Sequence, residues 1–145
     1  VQGNPEIILL VEYAENDEAA LEHGIQQLKS RLDRIHHHDP VVIISDPTQQ
    51  ANVWYVRKVG LGILMSVRGD AKPIPFIEDA AVPVEHLADY ITGIFNFAYS
   101  VGLEQVAMYA HASAGCLHVR PVVNLKSAEG VRQIRLIAEK AQAEA

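Results

Sequence analysis

The chain has 145 residues, 49% of them apolar, with a formal net charge of −6 and a single cysteine. That length can bury one real core, and the acidic balance excludes a nucleic-acid surface, which wants a Lys/Arg-rich face. One cysteine excludes an internal disulfide framework and makes a reducing, cytoplasmic setting the default; no apolar run approaches the roughly 18–20 residues of a membrane span.

Glu6 to Ala14 is an apolar, partly β-branched run that reads as a central strand. Asn16 or Asp17 can cap the helix that follows, whose stripe is Leu21, Ile25, Leu28, Leu32 and Ile35. His36, His37 and His38 end it. A helix C-terminus favours partial positive charge, whereas adjacent side chains on a helix diverge and make a poor metal triplet. Val41 to Ile44 reads as a second strand. Asp46-Pro47-Thr48-Gln49 then opens a helix with a cap, a proline at the first position and a capping-box glutamine. Trp54, Arg57, Leu61 and Leu64 or Met65 follow at helical spacing, and Gly60 and Gly62 weaken the second half.

Val67 to Pro73 is a turn-rich connector, and Ile74 to Asp79 a short strand pushed toward a sheet edge by its prolines. Glu78 and Asp79 are adjacent, so a regular strand would send them to opposite faces. Pro83 starts a helix with the stripe Leu87, Tyr90, Ile91, Ile94, Ala98 and Val101, and Gly102 ends it. Val106 to Val123 reads as strand, tight turn, strand. Ser127 caps a last helix with Val131, Ile134, Ile137, Ala138 and Ala141 facing inward. Strands and helices alternate, but the last two strands are joined too tightly for a parallel crossover. The expected fold class is therefore α+β, with an antiparallel or mixed sheet and helices mainly on one face. The chain lacks an initiator Met and its last segment still reads as helix, so residues 1–145 are expected to form a single domain excised from a longer chain.

The chemistry concentrates in the hairpin. His111 and His118 flank a turn made of Ala112, Ser113, Ala114 and Gly115, whose small side chains leave room for a ligand. Two imidazoles there can bind a substrate, one acting as general base, or ligate a divalent metal that takes a third ligand from elsewhere. Arg57 is either a partly buried ion pair or a bidentate clamp for a ligand carboxylate. Cys116 shares a face with His118 without evident activation and reads as a small filler of the turn. Gly60-Leu61-Gly62 is only a fragment of a dinucleotide-binding motif and sits inside a helix. From the residues alone, a stand-alone ferredoxin-like module that binds a small ligand or metal and regulates a partner is the alternative to an enzyme domain.

Three stretches carry a family likeness: Trp54-Tyr55-Val56-Arg57, Lys72 to Pro83 (KPIPFIEDAAVP), and Ala110 to Pro121 (AHASAGCLHVRP). In order and spacing they resemble the C-terminal domain of FAD-linked oxidases, the family of glycolate oxidase, D-lactate dehydrogenase and D-2-hydroxyglutarate dehydrogenase. The resemblance implies a ferredoxin-like α+β domain on the substrate side of the FAD, which a separate N-terminal domain of the same polypeptide would hold. It implies oxidation of a small 2-hydroxy acid of the D-lactate, glycolate or D-2-hydroxyglutarate type, with the isolated domain inactive. Arg57 resembles the arginine that grips the substrate carboxylate. His111 and His118 resemble the histidines that bind a divalent metal or the substrate hydroxyl, and a further Glu-His-Gly segment would follow Ala145. The commoner hairpin pattern is G-H-x-G-D-G-N-L-H. Ala110, Ser113, Ala114 and Cys116 depart from it, which bears on metal binding more than on substrate contact. This version resembles the branch fused to an iron–sulfur domain.

Overall fold

The computed structural model describes residues 7–35 and 41–145. The chain divides into two compact units, Val1–Ala51 and Asn52–Ala145.

In the first unit, helix α1 (Glu18–Arg34) begins at Asp17, whose carboxylate accepts from the amides of Ala19 and Ala20 at 3.3 Å each. Leu21, Ile25, Leu28 and Leu32 are half-buried, while Ile35 is exposed. The two strands expected at Glu6–Ala14 and Val41–Ile44 are not formed: their described residues join no ladder. Ile7 to Val11 and Val41 to Ile43 are 43–85% exposed. β-prone sequence makes a strand only against a partner strand, and these runs have none among the described residues. His36, His37 and His38 lie outside the described residues.

Helix α2 (Pro47–Met65) starts as its sequence predicts, with the Gln49 amide donating to Asp46 Oδ1 at 2.8 Å. It runs unbroken through Gly60 and Gly62.

The second unit is organised around its longest strand. Strands β1 (Lys72–Pro73), β2 (Ile77–Ala81), β3 (Val106–His111) and β4 (Cys116–Val123) form an open antiparallel sheet in which every pairing is with β4. The single expected strand at Ile74–Asp79 is thus two short ones. Pro75 has no amide to donate, which interrupts the ladder between them. A one-turn 3₁₀ segment, Val84–His86, follows Pro83 and leads into helix α3 (Leu87–Ser100); helix α4 (Ala128–Glu144) is capped by Ser127, which accepts from the Gly130 amide at 3.0 Å.

Side chains alternate along β4. Leu117, Val119 and Val123 are buried with Leu87, Tyr90, Ile94 and Ala98 of α3 and Ile134, Ile137 and Ala141 of α4. Of the stripe expected on α4, Val131 is 42% exposed and falls outside this core. The alternate residues of β4, Cys116, His118 and Arg120, stand on the opposite face. The fold is α+β, with four helices and a four-stranded open sheet among the described residues. Among the described residues no helix is long and apolar enough to cross a membrane.

Candidate functional site

The site is built on the face of β4 turned away from α3 and α4. The β3–β4 turn sets its register. Ala112–Ala114 form a 3₁₀ turn and Gly115 closes it at φ 63°, in the left-handed region. A Cβ at Gly115 would lie 2.0 Å from the Val82 carbonyl oxygen, so only glycine fits under the Val82 backbone. The register pairs His111 with Cys116 and Tyr109 with His118, placing all four side chains on one face. The imidazoles meet edge to face, 5.2 Å between centroids at 78°. His111 is exposed; the His118 side chain is only 16% exposed.

Neighbouring β2 contributes what local sequence reasoning had set aside. Its register with β4 shifts between Ile77 and Ala80, and within that irregularity Asp79 adopts φ 57°. Aspartate tolerates the left-handed region better than most side chains. The regular alternation is broken, and Glu78 and Asp79, expected on opposite faces, both reach His118. Glu78 Oε2 lies 2.6 Å from His118 Nδ1, and Asp79 Oδ1 lies 3.8 Å from Nε2. Glu78 Oε1 accepts from Arg120 Nη2 at 3.0 Å. Arg120 is buried, and its guanidinium carbon sits 5.8 Å from the centre of the Tyr109 ring.

These distances assign donors and acceptors. A carboxylate paired with a guanidinium can only accept, so Nδ1 must carry the proton it shares with Glu78. The Asp79 amide, 3.4 Å from the same nitrogen, is then a neighbour and not a hydrogen-bond donor to it. Among the described residues Nε2 has no partner at hydrogen-bond distance; 3.8 Å is too long. Nε2, an Asp79 carboxylate oxygen and Cys116 Sγ lie within 4.8 Å of one another. The Cys116 thiol donates to Asp79 Oδ1 at 3.7 Å, so Nε2 and the carboxylate are the acceptors there, and the sulfur joins them as a ligand atom only on losing its proton. One nitrogen, one oxygen and one sulfur is a donor set that suits zinc better than magnesium.

Cys116 is not an activated nucleophile. Burial pushes its thiol pKa up, and the charges of Asp79 and Glu78, with the Asp79 hydrogen bond, push it the same way. Arg57 is exposed on α2 with its guanidinium carbon 5.9 Å from the Trp54 ring centre. No described hydrogen bond or ion pair joins it to the hairpin. The structure thus gathers His111 and His118, adds Glu78, Asp79, Cys116 and Arg120, and describes Arg57 beside Trp54. Alternation on β4 already pointed to Cys116 and His118 as one face; nothing local pointed to the carboxylates or to the place of Arg120.

The family model for FAD linked oxidases, C-terminal domain, matches residues 2–145. D-2-hydroxyglutarate dehydrogenases from Pantoea ananatis and Escherichia coli are 39% and 38% identical over 121 residues, which is 80% of this chain and 12% of each relative. The one from Haemophilus influenzae is 35% identical over 136 residues, 90% of this chain and 13% of the relative. The chain therefore spans about one eighth of the length of the curated relatives it matches. No solved structure matches it. With its whole described sheet and hairpin inside the matched span, the chain belongs to the FAD-linked oxidase C-terminal domain family.

Proposed function

We propose that this chain is the substrate-side domain of a flavin-dependent dehydrogenase or oxidase of small 2-hydroxy acids, with D-2-hydroxyglutarate the first substrate to test and D-lactate and glycolate the next. The observation that carries the reading is His118 Nε2, without a hydrogen-bond partner among the described residues and within 4.8 Å of an Asp79 oxygen and Cys116 Sγ, beside the exposed His111. Support for a ferredoxin-like arrangement comes from α3 and α4 sharing one core with the inner face of an antiparallel sheet.

Oxidising a 2-hydroxy acid to a 2-oxo acid removes a proton from the hydroxyl and a hydride from the carbon. FAD, when bound, supplies the hydride acceptor. We assign the binding of FAD mainly to a separate N-terminal domain and the described residues to the substrate side. His118 Nε2 accepts the hydroxyl proton, and His111 lines the approach. The alternative use of the same lone pair is as a ligand: a divalent cation held by the His118, Asp79 and Cys116 donors, with His111 adjacent, would polarise the hydroxyl, and Nε2 would then not be the proton acceptor. Arg57 has the chemistry to clamp the substrate carboxylate. The single cysteine cannot supply the four thiolates of an iron–sulfur cluster, which assigns any such cluster to another part of the protein.

The test is anaerobic bleaching of the flavin in the full-length protein on addition of each 2-hydroxy acid. Bleaching by one of them, lost in His118→Gln, is the expected result. An intact flavoprotein that no 2-hydroxy acid reduces overturns the reading. The 145-residue chain alone is expected to give no turnover.

A further inference from the structure

The role of His118 depends on which ring nitrogen carries the proton, and the groups that decide this lie behind the ring. Glu78 uses both its oxygens: Oε2 on His118 Nδ1 at 2.6 Å and Oε1 on Arg120 Nη2 at 3.0 Å. Arg120 Nε is buried without a hydrogen-bond partner among the described residues. The bond to Glu78 is therefore the only one described for this guanidinium, and swinging away would leave a buried charge uncompensated. The Tyr109 ring lies alongside. Arginine and glutamate thus fix one another, and the glutamate presents one oxygen to Nδ1.

We propose that Arg120 and Glu78 are a positioning pair that locks His118 in the Nδ1–H tautomer, so that its Nε2 lone pair faces Asp79 and Cys116. The two competing interactions are weaker. Asp79 Oδ1 would favour a proton on Nε2, but from 3.8 Å. The Asp79 amide would favour a bare Nδ1, but from 3.4 Å against the 2.6 Å contact with a carboxylate. A bare Nε2 is what either use of the site requires, since a proton acceptor and a metal ligand both need that lone pair. The functional meaning of the lock rests on the proposed reading of His118 as a site residue; the tautomer itself does not.

The measurement is nitrogen-15 NMR of this chain with labelled histidine, under conditions where the imidazoles are neutral. His118 is expected to show a protonated Nδ1 and a bare Nε2. Glu78→Asp keeps two acceptor oxygens and preserves that pattern, whereas Glu78→Gln has one oxygen for two donors and, with it on Arg120, turns its amide NH2 toward Nδ1 and moves the population toward Nε2–H. Glu78→Leu moves the population toward Nε2–H. A wild-type spectrum dominated by Nε2–H overturns the proposal without recourse to any variant, and so does a folded Glu78→Leu with an unchanged tautomer. In the full-length protein, Glu78→Leu is expected to lower kcat about ten- to hundredfold with little change in KM, and Glu78→Asp, which keeps both acceptor oxygens, to recover much of it. Equal losses in the two variants count against positioning. Absence of any 2-hydroxy-acid activity in the wild type sinks the functional reading and leaves the tautomer result standing.

Discussion

His118 and Glu78 are 40 positions apart in sequence, yet Nδ1 and Oε2 lie 2.6 Å apart, across the one irregular stretch of the β2–β4 ladder. The same carboxylate neutralises Arg120, so its loss has a cost in stability as well as chemistry. Removing one partner of a buried pair costs about 3–5 kcal/mol, and the 35% exposure of the Glu78 side chain reduces that to roughly 2–3 kcal/mol. Glu78→Ala is expected to lower the urea midpoint accordingly. A change under about 0.5 kcal/mol would mean that Arg120 finds another acceptor.

The bulge makes a separate prediction. Asp79 is the one non-glycine residue at positive φ among the described residues. Asp79→Asn and Asp79→Gly keep access to that conformation and should leave stability within about 0.5 kcal/mol. Asp79→Val, β-branched, should cost about 1–2 kcal/mol and turn Glu78 away from His118. Chemical denaturation gives the first effect and the His118 nitrogen shifts give the second. Equal stability for Asn and Val would show that the backbone there is not strained.

The hairpin was legible because its signals are local: apolar alternation, a run of small residues, and a glycine where the backbone must turn left-handed at Gly115. The cores of α3 and α4 were legible from spacing for the same reason, apart from Val131. The runs at Ile7–Val11 and Val41–Ile43 show the limit, because strand propensity names a willing strand and not its partner. Glu78 and Asp79 show it at the site itself. Adjacent residues on a regular strand diverge, and only the shifted register against β4 brings both carboxylates to one imidazole.

Gly115 is the hinge of the site's register. Alanine there meets both a φ of 63° and a Cβ position 2.0 Å from the Val82 carbonyl oxygen. Gly115→Ala is expected to cost about 2 kcal/mol or more and to separate the His111 and His118 rings. Serine at the neighbouring exposed Ala114 should be nearly silent. If both variants melt alike, the turn is not what holds β3 against β4.

Cys116 gives a prediction with a definite sign. Its pKa is raised first by burial and then by Asp79 and Glu78, so the folded chain keeps the neutral thiol at a pH where an unfolded cysteine has begun to ionise. Alkylation by iodoacetamide needs the thiolate, so its rate profile against pH should be displaced to higher pH than that of the same chain in urea. Asp79→Asn removes a charge and a hydrogen-bonding carboxylate but not the burial, so it should shift the profile back only in part. A bound zinc ion would reverse the order by stabilising the thiolate while blocking the sulfur, making protection against alkylation by added zinc a direct readout of the His118, Asp79 and Cys116 cluster. Alkylation that is as fast in the folded chain as in urea, with or without zinc, would remove Cys116 from the site.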